Sequence, residues 1–314
     1  MNPIVAIVLA TYNRRDLIIK TLQSIQKQSY PNWICYIIDD ESTDDTENVV
    51  QHFIHADNRF KYCKKDSRYQ KGPSGARNQG IDLAKNSSAS YIQFVDDDDI
   101  IHQDNLKLTV AFLEKHSSYQ FCHYQKMAFT TEESIITENY SHLTIEQYLN
   151  TTNLAEVVQE KIGMALCTVL WRTNALNNGF IESLTYAEEW ELYSRIIANG
   201  TSGIIVNETL YFNRKHEVSN TGFYWRGNQK SIDSKMQASL YILQTLSSKN
   251  LLTRDTRNYL LNILIRHRGF NYFSKAMSSC NLALSKKLKY FMYYLFFPIV
   301  FILFQLKNKY VNHD

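Results

Sequence analysis

Proline and glycine are scarce in this chain, at 4 and 10 residues among 314, and nowhere do they gather into a low-complexity linker. Cysteine is little used, and Cys35, Cys63, Cys122, Cys167 and Cys280 are scattered without a CxxC pair. That spacing suggests neither a disulfide framework nor a zinc site and fits a reducing cytosol. A surplus of one charge is also missing. The formal net charge is only +3, and no basic face stands out in the first two thirds, which argues against nucleic acid as the main partner. The N-terminus lacks the basic stretch and long apolar core of a signal peptide, because the apolar run from Ile4 to Ala10 is one strand long. No internal repeat is visible.

What is present is the balance of a folded globular protein, 44% hydrophobic and 21% charged. The length is large for one domain and small for two large ones. The first 115 residues alternate between strand and helix patterns. Ile4 to Ala10 is apolar throughout, as buried parallel strands are. Asn13 is placed to cap a helix with Ile18, Leu22 and Ile25 on one face. Ile34 to Ile38 reads as a second strand, and Ser42 or Thr43 as the cap of the next helix, with Thr46, Val49, Val50 and Phe53 at helical spacing. Phe60 to Cys63 is a short strand, Ala76 to Ala84 a helix and Tyr91 to Val95 a strand. A helix with Leu106, Val110 and Leu113 in register follows. Beyond Phe121 the alternation is less regular; Leu166 to Leu170 and Gly203 to Val206 are candidate strands. Helical spacing returns at Ile232, Met236, Leu240 and Leu243, and again at Tyr259, Leu260, Ile263 and Leu264.

A β-α-β-α succession implies a parallel sheet with right-handed crossovers, and such sheets bind ligands beyond the carboxyl ends of their strands. The polar residues collect there. Thr11, Tyr12 and Asn13 follow the first strand, Asp39 and Asp40 the second, and Asp96, Asp97, Asp98 and Asp99 the strand ending at Val95. Four consecutive carboxylates repel one another unless a cation or protonation relieves them. Oxygen ligands suit Mn²⁺ or Mg²⁺ rather than zinc, and such ions are commonly held by one or two carboxylates together with substrate phosphates. The plain alternative is a solvated acidic turn, which the buried strand before the run disfavours.

Weaker signals surround this one. The loop Lys71-Gly72-Pro73-Ser74-Gly75-Ala76-Arg77-Asn78 is neither a P-loop nor a dinucleotide fingerprint, though a basic loop at a helix start suits phosphate. In Ala187-Glu188-Glu189-Trp190-Glu191-Leu192, carboxylates sit beside aromatic side chains, as a partly desolvated general base requires, and an amphipathic helix start has the same look. His216, within Arg214-Lys215-His216-Glu217, reads by itself as a surface histidine.

Taken in order, these segments resemble glycosyltransferase family 2. Residues 4 to 47, IVAIVLATYNRRDLIIKTLQSIQKQSYPNWICYIIDDESTDDTE, are similar to its opening, with YN after the first strand and DD-x-S-x-D after the second. KGPSGARNQGIDLAK resembles its G-x-x-x-ARN-x-G-I segment, YIQFVDDDDII its D-x-D-D strand and AEEWELYSRIIANG its E-D-W-D-L-x-x-R segment. The resemblance spans about residues 4 to 220. It implies an α/β GT-A fold, Rossmann-like, with a mostly parallel sheet flanked by helices. It also implies a nucleotide-diphosphate sugar donor, with a bias to UDP, and inverting transfer. By the same resemblance Tyr12 would stack on the base, Asp40 or Asp39 would bond the base edge, and Asp96 and Asp97 would meet the ribose and sugar. Asp98 would ligate Mn²⁺ or Mg²⁺ at the diphosphate, Arg77 would lie near the donor, Glu189 would deprotonate the acceptor, and His216 would touch metal or diphosphate. Two departures stand out: Glu189 occupies the place of an aspartate, and the middle residue of D-x-D is another aspartate.

Residues 221–285 read as a helical extension of the 1–220 domain, and 286–314 as a tail. Phe291 to Phe304 is uninterrupted apolar sequence flanked by Lys286, Lys287, Lys289, Lys307 and Lys309. It is short for a spanning helix and contains Pro298. It reads as an interfacial or re-entrant anchor, or else as a core helix or subunit contact. The expectation is a cytoplasmic enzyme, peripheral on the inner face of the cell membrane. Its acceptor would be a saccharide, or a lipid-linked one, in cell-surface polysaccharide synthesis such as capsule or O-antigen assembly. A sugar-nucleotide pyrophosphorylase would need a glycine-rich basic loop where Ala10-Thr11-Tyr12-Asn13 stands. The remaining alternative is a non-catalytic, membrane-tethered sugar-binding protein.

Overall fold

Apolar runs that are not interrupted by polar alternation must be covered on both faces, and that requirement organises the molecule. The computed structural model describes residues 2–215 and 220–311. In its first part β1 (Val5–Thr11), α1 (Ile18–Gln26), β2 (Trp33–Asp39), α2 (Thr46–Ile54), β3 (Phe60–Lys64), α3 (Pro73–Asn86) and β4 (Tyr91–Asp96) alternate as expected. The short β5 (Ile100–Ile101), α4 (Asn105–Lys115), β6 (Phe121–Phe129), β7 (Ile145–Leu149), α5 (Leu154–Val158), β8 (Val169–Arg172), α6 (Glu188–Ala198) and β9 (Gly203–Arg214) follow. The C-terminal part is helical: α7 (Asn220–Trp225), α8 (Gln229–Ser248), α9 (Arg254–Arg266), α10 (Phe270–Ser279) and α11 (Leu284–Val311).

The strands form one sheet in the order β3-β2-β1-β4-β8-β6-β9-β5, with β7 beside β9. The block β3-β2-β1-β4 is parallel, while β8 joins β4 and β6 antiparallel. Within the parallel block the chain steps outward from β1 to β3 and then returns to the other flank of β1, which makes the β1/β4 edge a topological switch point. Register brings the strand ends level there: Thr11 pairs with Asp39, and Ala10 with Asp96.

Alternate residues of the central strands feed two cores. Ala6, Val8, Tyr36 and Ile38 join one, with α3, α6, α8, α9 and α10. Val5, Ile7, Leu9, Cys35 and Ile37 join the other, with α1 and α4. The C-terminal helices therefore complete a core of the sheet itself. Gly80 of α3 lies where a Cβ would fall 2.2 Å from the Val8 side chain, so only glycine lets this helix lie on β1.

Several local expectations need correction. Asn13 does not cap α1, whose N-cap is Leu17 with no side-chain bond. Its amide oxygen instead accepts from the backbone of Thr43 and Asp44. Nor do Ser42 or Thr43 cap α2; that helix starts after Asp45. The candidate strand Leu166 to Leu170 is half 3-10 turn, and only Val169–Arg172 pairs as strand. In the tail, Tyr294 is buried and stacks on Phe273 at 4.8 Å, while Leu284, Leu288, Leu295, Phe296 and Ile299 are exposed. No helix among the described residues is long and apolar enough to cross a membrane.

Candidate active site

The switch point gathers acidic and basic groups from four strand or helix ends. After β1, Tyr12 is 44% exposed, and its backbone N–H donates to the Asp97 carboxylate at 3.4 Å. Lys71 Nζ sits 5.3 Å from the centre of its ring. Asn13 takes a left-handed backbone, φ 52°, which asparagine tolerates better than most residues. Its N–H donates to Ser42 Oγ at 2.9 Å. These bonds tie the loop after β1 to the loop after β2.

The two aspartates after β2 have different work. Asp39 is satisfied locally: it accepts from the Ser42 N–H at 2.7 Å and from the Tyr62 hydroxyl at 2.5 Å. Asp40 accepts from the Gly72 N–H at 2.8 Å and faces Lys65 Nζ at 3.6 Å. Burial raises the Asp40 pKa against the pull of that N–H and of Lys65. Asp40 Oδ1 is buried without a hydrogen bond, though ion-paired with Lys65, so of the pair Asp40 has the unused hydrogen-bond acceptor. Gly72, at φ 126°, supplies the backbone turn that delivers its N–H there.

The acidic run after β4 is held by two arginines that sequence reasoning overlooked, Arg14 through its charge and Arg214 through bonds that involve the backbone. Arg14 Nε bonds Asp97 at 3.1 Å, and its NH2 lies 3.5 Å from Asp98. Arg214 Nε donates to the Asp98 carbonyl at 2.9 Å, and its backbone N–H to Asp99 at 2.7 Å. Asp97 is pushed up to about 6 by burial, against the Arg14 charge and with the help of Asp98. Asp99 is pushed up to about 8, by burial first and then by Asp96 and Asp98. Ligand-grade atoms of Asp96, Asp99 and Cys167 lie within 4.8 Å of one another. The two crowded carboxylates, Asp96 and Asp99, are oxygen donors of the kind Mn²⁺ or Mg²⁺ takes, whereas the buried Cys167 thiol is a poor ligand for such an ion. Asp98 itself turns its carboxylate to Arg14, and His216 lies outside the described residues.

Arg77 connects this turn to the start of α6. It is largely buried on α3, with NH1 2.8 Å from Glu188 and NH2 3.2 Å from Asp96. Burial opposes its charge, but the carboxylates of Asp96 and Glu188 more than offset this and hold its pKa raised. Glu189 has no arginine of its own. It accepts the Leu166 N–H at 2.8 Å. Burial, followed by the neighbouring Glu188 charge, pushes Glu189 up to about 7, against the pull of Leu166 and Arg77. The helix begins after Ala187 in a left-handed conformation, φ 62°, a locally strained backbone of the kind found at functional sites. Thr11, Tyr12, Asp40, Asp96 and Asp97 thus stand at neighbouring strand ends, and Arg77 bridges Asp96 to Glu188, the residue before Glu189. Arg14 had one legible signal, a cation two residues past Tyr12 at a switch point beside four aspartates. Asp99 had none beyond the run itself, and Cys167 had none.

Comparisons agree with this geometry. Residues 6–171 match the family model of Glycosyl transferase family 2. A Campylobacter jejuni GalNAc(5)-diNAcBac-PP-undecaprenol beta-1,3-glucosyltransferase is 38% identical over 97 residues, 31% of this chain and 30% of the relative. An Escherichia coli UDP-Glc:alpha-D-GlcNAc-diphosphoundecaprenol beta-1,3-glucosyltransferase, WfgD, is 32% identical over 123 residues, 39% of this chain and 46% of the relative. The chain thus spans less than half the length of these curated relatives. In structure it is similar to S. aureus TarS 1-349 in complex with UDP-GlcNAc, with a TM-score of 0.61 at 19% identity, covering 92% of this chain and 78% of that one. The α/β fold of GT-A type expected from the sequence is the fold they share.

Proposed function

The chain belongs to glycosyl transferase family 2, and from that premise we propose that it moves a sugar from a nucleotide-diphosphate donor, UDP-linked by preference, onto a saccharide acceptor with inversion. The observation that carries this reading is the pairing of a desolvated carboxylate at Glu189, without an ion pair of its own, with an acidic turn that Arg77 bridges to the neighbouring Glu188. One side suits a base and the other suits a diphosphate.

In this reading Tyr12 offers its ring to the nucleobase and Asp40 its remaining acceptor capacity to the base edge. Asp96 and Asp97 meet the ribose and sugar, and Arg77 holds Asp96 and Glu188 in place beside them. Mn²⁺ or Mg²⁺ belongs at the acidic turn. Asp98 is the ligand the family resemblance assigns, and Asp96 and Asp99 are supported by the closeness of their carboxylates. When bound, such an ion neutralises charge on the departing diphosphate. Glu189 accepts the proton of an acceptor hydroxyl as its oxygen bonds the anomeric carbon. The bond from that carbon to the diphosphate oxygen breaks, and the nucleoside diphosphate leaves. The raised proton affinity of Glu189 suits this task near neutral pH.

The acceptor is proposed to be lipid-linked, as the two glucosyltransferases above are named for undecaprenyl diphosphate acceptors. Surface polysaccharide assembly on the inner face of a bacterial membrane is the setting this suggests. The lysine-flanked, partly exposed apolar face of α11 supports binding at a membrane surface. Release of nucleoside diphosphate across a panel of nucleotide sugars, with and without Mn²⁺, tests the transferase reading; no release from any donor overturns it. A chain ending at residue 285 that floats with anionic vesicles as well as the full chain does overturns the membrane part.

A further inference from the structure

Beside Glu189 the protein presents a second surface that the transfer chemistry leaves unused. A cavity of about 100 Å³ is lined by Glu189, Trp190, Tyr193, Ile162, Met164 and Glu160. Glu160 is held rigidly for a residue outside any regular element. Its two carboxylate oxygens accept from Lys235 Nζ of α8 at 2.8 Å and from the Tyr259 hydroxyl of α9 at 2.7 Å. The Lys235 ammonium also lies 3.8 Å from the centre of the Trp190 ring. The helical extension therefore fixes one carboxylate at the mouth of the cavity that holds another.

Aromatic faces flank this pair. Tyr186, one residue before the Ala187 turn, stacks on Tyr224 of α7 with centroids 4.9 Å apart. Tyr224 is anchored through its hydroxyl to His267 at 3.0 Å. Trp225 follows it, edge-on at 5.4 Å and 79% exposed. An indole so exposed adds little to the fold, and flat aromatic faces beside fixed carboxylate acceptors are complementary to a pyranose. Its C–H face packs on the rings while its hydroxyls donate to the carboxylates.

We infer that Tyr186, Tyr224, Trp225 and Glu160 seat the terminal sugar of the acceptor, and that this sugar is a neutral pyranose and not a uronic acid. The inference rests on the transferase reading for the word acceptor, and on the geometry for the site. Charge decides the sugar class. Glu160 and Glu189 line the cavity, and among the described residues Lys235 is committed to Glu160 and Arg77 to Glu188, while Arg266 of α9 acts on the Tyr224 and Tyr259 hydroxyls. A carboxylated sugar would meet the carboxylates of Glu160 and Glu189 as like charge.

The test is binding of cellobiose, lactose, N,N′-diacetylchitobiose and cellobiouronic acid by saturation-transfer NMR, with UDP and Mn²⁺ present. It compares the wild-type chain with Trp225→Ala and Glu160→Gln, and donor hydrolysis is measured on the same samples. At least one neutral disaccharide is expected to bind the wild type, with cellobiouronic acid at least about tenfold weaker. Trp225→Ala is expected to weaken the neutral sugar about tenfold at an unchanged melting temperature and unchanged donor hydrolysis. Wild-type protein that binds none of the neutral disaccharides, equal binding of the acid, or undiminished binding by Trp225→Ala overturns the proposal. Since Trp225 is solvent-exposed, its variant stays informative even if Glu160→Gln destabilises the fold. If sugar binding follows these expectations while no donor is hydrolysed, the transferase reading fails and the saccharide seat stands; the reverse pattern removes the seat alone.

Discussion

Two acidic clusters are joined through Arg77, and they are built from the same functional group. Around the turn after β4, Asp97 and Asp98 share Arg14, while Asp99 accepts a backbone N–H from Arg214. At the start of α6, Glu188 takes Arg77 and Glu189 is left with one backbone N–H. The turn sets Arg14 against its carboxylates and still holds Asp97 and Asp99 above the usual carboxylate range, as a crowded set suited to a cation; the helix start gives Glu189 one N–H donor and suits it to taking a proton. The surroundings of each carboxylate, more than residue type, separate a metal-binding set from a base.

The sharpest way to break this comparison is to remove the charge from each side. Glu189→Gln keeps the shape and the acceptor for the Leu166 N–H but cannot take a proton. Turnover is expected to fall about 10²–10⁴-fold, with donor affinity in equilibrium binding unchanged; near-normal turnover would falsify the base assignment. Asp99→Asn and Asp98→Asn act on the opposite cluster. Each is expected to raise the Mn²⁺ concentration for half-maximal donor hydrolysis about tenfold or more, a loss of roughly 1.4 kcal/mol, with the melting curve without metal retained. If only Asp98→Asn does so, Asp99 is a structural acid bound to Arg214 and the metal set narrows.

A milder test uses pH. With Glu189 at about 7, the active, ionised base is lost as pH falls through that value. Turnover should level off above about pH 8 and drop about tenfold per unit well below 7. Glu189→Asp should retain a pH-dependent limb while lowering the plateau, because the shorter side chain keeps the charge and loses reach. A flat profile between pH 5 and 8 would show that proton removal by this residue does not limit the rate.

The two clusters also differ in how far the sequence discloses them. Apolar runs and helical spacing up to Lys115 define β1 to β4 and α1 to α4, because β1, β2 and β4 are buried on both faces and carry their own signal. Glu189 and the aspartate run were readable as motifs at element ends. By contrast β6, with His123, Gln125 and Lys126 in it, has no clean alternation. It exists through β8 and β9, and β5 is two residues long and set by its pairing with β9. Arg214 on Asp99 and Lys235 on Glu160 join residues 115 and 75 apart in the chain. No local pattern encodes such pairs, since the fold brings them together.

The smallest expected effect concerns stability, and it separates a functional carboxylate from a structural one. Glu189 has an ordinary carboxyl value of 4.5 and is held at about 7 in the fold. Below the ordinary value both folded and unfolded chains carry the proton, and the group is neutral in its effect. As pH rises between the two values the unfolded chain ionises first, so the fold loses stability; above about 7 the full penalty applies. Glu189→Gln has no such penalty. It should therefore be more stable than the wild type at pH 8 by about 1–3 kcal/mol, with the upper end set by the size of the shift, seen as a rise of a few degrees in melting temperature. The gain should vanish near pH 4.5. A structural carboxylate would do the opposite, and Asp57, whose pKa Arg59 lowers through its side-chain bond, serves as the control: Asp57→Asn should destabilise the fold at pH 8. If both substitutions destabilise at pH 8, Glu189 is a packing residue, and the contrast between the two clusters is one of position alone.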